Sequence, residues 1–206
     1  MMKDYVLIIL TGLFSTAGVI ASGWAGAYFK RRFTKTHTPS MEDKSMCYLE
    51  MDKICSAIRT AVKADGSYLA YFHNGGVFSN GIAMDKFTVV GEDYNARVKC
   101  TSYKKTYNST MINYMPYAYH RLLVDNKYLL DNVEDMPDLS YKSDLNKRKV
   151  SSMYMYLIKD SVSDKPIGFF GLEYVDPYVL TSIEEMAIWK QQNRISKLLN
   201  ITVIKE

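Results

Sequence analysis

The longest run of hydrophobic positions in this chain lies at its N-terminus, where the 25 residues from Tyr5 to Phe29 contain no charged side chain. At a rise of about 1.5 Å per residue, such a helix spans about 37 Å, more than the roughly 30 Å of a bilayer's hydrocarbon core. A helix buried in a soluble core would show a polar face, and none is visible in this run. The pattern therefore predicts a transmembrane anchor over residues 1–29.

The residues that follow the run predict its orientation. They include four cations, at Lys30, Arg31, Arg32 and Lys35. By the positive-inside rule these cations place the C-terminal side in the cytoplasm, where they can contact the anionic headgroups of the lipid bilayer. We therefore predict a single-pass protein of the inner (cytoplasmic) membrane with a cytoplasmic C-terminal domain.

A cleaved signal peptide is the alternative for this segment, because Ala25-Gly26-Ala27 resembles a cleavage site. Against it, the leading MMKD carries no net positive charge and the apolar run is too long. Small residues also recur at every fourth position, at Gly18, Ser22 and Gly26. This spacing lets two membrane helices approach closely and predicts a packing face for a homodimer.

After the predicted anchor, residues 30–40 form a basic, polar juxtamembrane linker that ends in Pro39-Ser40. Residues 41–206 then form a cytoplasmic domain, which begins with helical periodicity from about Met41 to Ala64. The apolar stripe of this helix consists of Cys47, Met51, Ile54, Cys55, Ile58, Ala61 and Val62. Asp65-Gly66 is predicted to end the helix.

The next segments show strand patterns. Residues 67–73 alternate and predict a strand that Asn74-Gly75-Gly76 ends, and residues 84–90 predict a second strand. Pro116 opens a short helix, residues 128–130 predict a short edge strand, and the charged residues 144–149 read as solvated surface.

The C-terminal third predicts a strand hairpin, over residues 152–159 and 166–174, followed by a final helix. A capping box at Thr181-Ser182-Ile183-Glu184 opens that helix, which extends to about Leu199. This order of elements predicts an α+β fold, with a central antiparallel sheet and helices packed on one face.

The distribution of charge and the spacing of cysteines and histidines exclude some classes of function from the prediction. Residues 1–35 hold five Lys/Arg and one acid, and so account for the whole net charge of +4. Because the excess lies at the membrane edge, nucleic-acid binding is disfavoured. The three cysteines lack CxxC spacing and read as reduced cytosolic thiols, and the three histidines show no ligand spacing, so no metal site is predicted.

Several segments, taken in order, resemble the GAF domain, a relative of the PAS fold. They are the first helix with ADGSYLAYFHNGG, then YHRLLVDNKYLLDNVEDM, then VSSMYMYLIKDSVSDKPIGFFGLEYVDP, and the final helix beginning TSIEE. Within the third segment, Ile167-Gly168-Phe169-Phe170-Gly171 is similar to the late strand of GAF-like sequences. The resemblance covers about residues 41–200 and implies a small-molecule sensor, whose dimers often form a bundle through the terminal helices.

The resemblance does not specify the ligand, because GAF folds bind cyclic nucleotides, tetrapyrroles, haem, amino acids or no known ligand. The chain shows no stretch like NKFDE of the cyclic-nucleotide-binding members, and Cys100 lacks the adjacent histidine of bilin attachment. The methionine sulfoxide reductase branch uses loop cysteines, whereas two of the three here lie on a helix stripe. The cofactor is therefore left undefined.

The candidate ligand-binding residues lie on the first strand and on the hairpin. Alternation places Tyr71 and His73 on one face of the sheet, where they could line a pocket with Tyr154, Tyr156 or Phe170. His73 and Asn74 also fit a strand end with a turn, in which the imidazole bonds to local backbone. No catalytic residue is predicted, although a Cys100-dependent activity, for instance with His73, stays open.

These observations predict a membrane-anchored, non-enzymatic sensor, scaffold or regulator that binds a small molecule and forms a homodimer. A compact anchor with a sensor and no output domain also suits small proteins of phages or other mobile elements. The alternative is a membrane-active lysis component of holin type, in which the span itself is the effector. The two readings differ in whether the full chain depolarises cells.

Overall fold

The structure is a computed structural model that describes residues 40–77, 83–99 and 102–202. The predicted anchor, the basic cluster and the Gly18, Ser22 and Gly26 face lie outside these residues, as do Cys100 and most of the linker. Within the described ranges, no helix combines the length and the apolar character needed to cross a bilayer.

Five α-helices and six strands are described, besides two 3-10 helices at Ile112–Tyr114 and Val133–Asp135. The helices are α1 (Met41–Ala61), α2 (Tyr103–Thr106), α3 (Pro116–Asp125), α4 (Leu139–Lys147) and α5 (Ser182–Thr202). The strands are β1 (Gly66–Val77), β2 (Ala83–Tyr94), β3 (Thr110–Met111), β4 (Lys127–Leu130), β5 (Ser152–Lys159) and β6 (Pro166–Tyr174).

The two terminal helices form where the sequence predicts them. The α1 stripe is buried at Cys47, Met51, Ile54, Cys55 and Ile58. Helix α1 also has a capping box, because Asp43 N donates to Ser40 Oγ at 3.0 Å and Ser40 N donates to Asp43 at 2.9 Å. The predicted capping box of α5 is confirmed, since Thr181 N donates to Glu184 at 2.9 Å and Glu184 N to Thr181 at 3.3 Å.

Two predicted boundaries are wrong. Helix α1 ends before Asp65-Gly66, because Lys63 takes a left-handed backbone with φ 54°. Strand β1 does not end at the Asn74 turn but continues to Val77, paired with β2. The register shifts between Asn74 and Val77, and the glycine pair there tolerates this irregularity inside the strand without ending it.

The six strands form one antiparallel sheet in the order β3-β2-β1-β6-β5-β4. Helices α1 and α5 cover one face, where they pack on Leu69, Phe170 and Leu172. Helices α2, α3 and α4 cover the other face, where they pack on Tyr68, Ala70, Phe87 and Phe169. The sequence-based expectation of helices on one face is therefore wrong, because residues of both parities along β1, β5 and β6 are buried.

Candidate functional site

The predicted ligand-binding residues lie mostly on the sheet face beneath α1 and α5. Tyr154, Tyr156 and Phe170 are in the hydrophobic core of that face, and Tyr71 packs at its margin. The rings of Tyr71 and His73 stack with centroids 5.8 Å apart. The structure thus brings these five side chains to one face, as alternation predicts.

Asn74 and His73 differ from the turn-based expectation. Asn74 is exposed, and His73 Nε2 lies 2.9 Å from Thr88 Oγ1 on the neighbouring strand. The predicted imidazole contact with local backbone is therefore replaced by a cross-strand side-chain contact. Strand β1 continues past Asn74 and stays paired with β2, and β2 supplies Thr88 as the partner of His73.

The hydroxyl groups on this face connect the sheet to α5 and to a loop. Tyr156 Oη donates to Glu185 Oε1 at 3.1 Å, and the Tyr156 ring meets Trp189 edge to face at 5.8 Å. Tyr154 Oη donates to Asp131 Oδ1 at 2.7 Å, and burial raises the pKa of both tyrosines. These contacts within the protein explain why Tyr154 and Tyr156 lie at these positions. A ligand-binding role for the predicted residues remains a prediction.

The opposite face contains a buried pair of opposite charges. Arg148 Nη1 donates to Glu173 Oε1 at 2.6 Å and to Glu173 Oε2 at 2.8 Å. The side chain of Arg148 is 5% exposed and that of Glu173 is 0% exposed. Arg148 follows the last turn of α4, and Glu173 lies in β6. A short helix and the central sheet thus hold the two charges together.

Tyrosines surround this ion pair. Tyr103 Oη donates to Glu173 Oε2 at 2.8 Å, and Arg148 Nη2 donates to Tyr107 Oη at 2.6 Å. The Arg148 guanidinium carbon lies 5.2 Å and 5.4 Å from the ring centroids of Tyr103 and Tyr107. Tyr107 in turn donates to Asp144 Oδ2 at 2.7 Å. We call the group Arg148, Glu173, Tyr103, Tyr107 and Asp144 the buried charge centre.

Two glycines make room for the rings next to this centre. A Cβ added at Gly66 would lie 2.1 Å from Tyr103 Oη, and one added at Gly171 would lie 2.3 Å from Tyr68 Cζ. Tyr68 extends the polar group, because its hydroxyl lies 2.7 Å from the hydroxyl of Tyr141. The sheet surface is therefore shaped to hold tyrosines over these two backbone positions.

Burial and charge act against each other in the charge centre. Burial acts to lower the pKa of Arg148, but Glu173 and the tyrosines raise that pKa well above its ordinary value. Burial also raises the pKa of Glu173, although Arg148 and Tyr103 oppose the shift. Arg148 Nε is buried and has no hydrogen-bond partner among the described residues. One guanidinium N–H of the centre is therefore unpaired within that part of the chain.

The sequence-based expectation missed this centre, because the charged residues 144–149 read as solvated surface. Arg148 is instead 4% exposed and Asp144 contacts Tyr107. A signal was present in the strand PIGFFGLEY, where Glu173 is the one charge in an otherwise apolar run. A carboxylate in such a strand needs a buried partner, and Arg148 is that partner.

The described part of the chain was compared with two kinds of site, a metal centre and a reactive thiol. No group of three His, Cys, Asp or Glu residues within the described ranges could hold a metal ion. Cys47 and Cys55 are buried in α1, and burial raises the pKa of both thiols. A raised pKa disfavours the nucleophilic thiolate, which fits a packing role for both residues.

Comparison with known proteins identifies the fold and no close relative. No family model and no curated protein matches the chain. The phycocyanobilin-bound GAF domain from a cyanobacterial phytochrome is similar with a TM-score of 0.56 at 12% identity, over 76% of this chain and 85% of that one. The blue-light-absorbing form of the Thermosynechococcus elongatus PixJ GAF domain has a TM-score of 0.54 at 11% identity, over 78% and 88%.

An enzyme is also among the similar structures. Type II free methionine-R-sulfoxide reductase from Thermoplasma acidophilum has a TM-score of 0.54 at 10% identity, covering 76% of this chain and 94% of that one. At such low identities the similarity defines the fold and not the activity. The described chain therefore has the α+β fold of a GAF domain.

Proposed function

We propose that this chain is a non-enzymatic sensor or regulatory domain that receives a small molecule on the sheet face beneath α2, α3 and α4. The observation that carries this proposal is the buried charge centre. The sheet face beneath α1 and α5 is filled by apolar side chains of the sheet and of these two helices. Packing alone accounts for the residues on that face. The similarity to a bilin-bound GAF domain supports a ligand-receiving role for the fold.

The physical argument rests on the cost of burying charges. Taking a carboxylate and a guanidinium out of water costs several kcal/mol for each ion, and apolar replacements of buried pairs are often neutral or stabilising. A pair of well-packed apolar side chains could fill the place of Arg148 and Glu173 without loss of stability, whereas the two charges suit recognition of a polar molecule. Arg148 Nε supplies the free donor, so the ligand presents an acceptor oxygen, such as that of a carboxylate or a carbonyl.

The test is a thermal-shift and native mass spectrometry screen of residues 40–206 against carboxylates, amino acids, nucleotides and bilins. A ligand at 100 times its Kd stabilises the folded state by about 2.7 kcal/mol, which gives a measurable rise in Tm. We expect Arg148→Lys, which keeps the charge but lacks Nε, to reduce the affinity at least tenfold. Arg121→Lys, at an exposed ion pair with Asp125, is the matched control and should bind like wild type.

Two results would contradict the ligand proposal. A ligand whose affinity is equal for wild type and Arg148→Lys binds away from the charge centre. A domain that carries no small molecule and is stabilised by none is instead a scaffold.

Membrane anchoring and dimerisation form the second part of the proposal. The anchor is supported by the apolar run of residues 1–29 and its flanking cations. Dimerisation is supported by exposed apolar side chains on both terminal helices, at Met46, Leu49, Ile183 and Met186. The domain would then report ligand binding to a second copy at the cytoplasmic surface of the membrane.

Fractionation tests this part directly. The full chain is expected to stay with the membrane after an alkaline wash, and residues 41–206 should move to the soluble fraction. An amine-reactive cross-linker should give a band at twice the mass of the full chain. A full chain that is released by the wash would contradict the anchor, and depolarisation of cells by the full chain alone would favour the holin-type alternative.

A further inference from the structure

The free edge of β4 is the feature that the proposed function leaves unused. Among the described strands, β4 is the last of the sheet and pairs with β5 alone. Leu157 N donates to Asn126 O at 2.9 Å, which fixes the pairing just before β4. Hydrogen-bonded and non-hydrogen-bonded positions alternate in an antiparallel pair. The main-chain groups of Lys127 and Leu129 therefore point away from β5, toward the free edge.

The usual devices that protect an edge strand are weak here. Strand β4 has an unbroken register with β5 and no proline in its sequence KYLL. Its only lysine, Lys127, extends to Glu185 on α5 with Nζ 3.1 Å from Oε1, so its charge is held on that helix. The Leu129 side chain is 40% exposed. Short length is the main remaining protection against pairing with another strand.

A groove runs beside this edge. It has a volume of about 760 Å³ and is bounded by β4, by Tyr117 and Arg121 of α3, and by Asp135 and Pro137. The Tyr117 ring, which is 44% exposed and meets the buried Tyr128 ring edge to face at 5.9 Å, provides an apolar surface. The volume of the groove is large enough for side chains of a strand that lies along β4.

The charges in the groove indicate which strand would fit. Arg121 is neutralised by Asp125 at 2.8 Å, whereas Asp135 has no cationic partner within the described ranges. A basic residue on an incoming segment would therefore complement Asp135. The outward groups of Lys127 and Leu129 offer two donors and two acceptors, which an extended backbone can satisfy together.

We propose that β4 is a docking edge for an extended peptide of a protein partner, which adds a seventh strand to the sheet. The peptide carries an apolar side chain for the exposed Tyr117 ring and a lysine or arginine next to Asp135. This interaction is independent of ligand binding at the buried charge centre, because it uses the outer edge of the sheet.

The experiment selects a phage-displayed library of random decapeptides on the full chain in mild detergent. Enriched peptides are expected to contain β-branched residues with a lysine or arginine. When bound, they should slow hydrogen exchange at the amides of Lys127 and Leu129. Leu129→Pro removes an outward N–H without removing a bond to β5, and it should weaken binding at least tenfold. Leu129→Ala keeps that N–H and should change the affinity less than about threefold.

Three outcomes would overturn the proposal. A selection that yields no peptide protecting these two amides would do so, as would equal binding to Leu129→Pro and Leu129→Ala. Protection of the amides without peptide, increasing with chain concentration, would show that a second copy occupies the edge. Hydrogen exchange of β5 amides in Leu129→Pro confirms that the variant keeps its β4–β5 pairing.

Discussion

Replacement of Arg148 by methionine is expected to lower the free energy of unfolding by about 3–5 kcal/mol, the range observed when one partner of a buried ion pair is removed. Methionine fills much of the same volume, so the loss comes mainly from Glu173, whose carboxylate is left fully buried without its cation. The Tyr107 hydroxyl also loses its contact with Arg148 Nη2. Urea unfolding of residues 40–206, followed by Trp189 fluorescence, measures the change.

The pH dependence of this variant gives a second readout. Burial raises the pKa of Glu173, and Arg148 opposes the shift, so removal of Arg148 raises that pKa further. A carboxyl with a raised pKa in the folded state stabilises the protein below its unfolded pKa. That stability is lost as the pH rises through the folded pKa. The defect of Arg148→Met should therefore be smaller at about pH 5 than at about pH 8.

Two controls separate charge from volume. The double variant Arg148→Met with Glu173→Gln should recover part of the lost stability and should lose this added pH dependence, because residue 173 no longer titrates. Arg121→Met, which removes an exposed cation from its pair with Asp125, should cost at most about 1 kcal/mol. Equal losses for Arg148→Met and Arg121→Met would contradict the importance of the buried pair.

Replacement of Phe170 by alanine should lower the free energy of unfolding by about 3–5 kcal/mol, as is typical for buried aromatic residues. The Phe170 side chain is 0% exposed in the core between the sheet and the two long helices. Its removal leaves a cavity that the rigid strands β5 and β6 cannot fill. Urea unfolding measures this loss, and ligand affinity measured in parallel should stay unchanged.

This prediction also tests the sequence-based assignment of Phe170 to a ligand pocket. A side chain that lines a pocket should affect ligand affinity more than stability when it is truncated. Leu139→Ala, at a side chain that is 77% exposed, is the control and should change stability by less than about 0.5 kcal/mol. A small loss for Phe170→Ala together with weaker ligand binding would restore the pocket assignment and contradict the core role.

Much of the element order could be predicted from local patterns. The α1 stripe, the β5–β6 hairpin and the capping box of α5 depend on residues close in sequence, so periodicity and capping chemistry indicate them directly. The short edge strand at residues 128–130 is likewise confirmed as part of β4. The β1 boundary was missed because pairing with β2 keeps the glycine pair inside the strand.

The candidate site could not be predicted in the same way, because it depends on which face each buried residue joins. Strands β5 and β6 are buried on both sides, so alternation groups Tyr154, Tyr156 and Phe170 but does not show which helices cover them. The order of strands in the sheet and the positions of the helices on its two faces decide that.

By itself, the sequence determined the local elements and the resemblance that the GAF fold confirms. Only the tertiary structure brought Arg148, 25 residues before Glu173 in the chain, into contact with it and enclosed both charges among tyrosines. The physical reason is that local patterns report whether a position is apolar or polar. The partner that makes a buried charge tolerable is chosen by packing between distant segments.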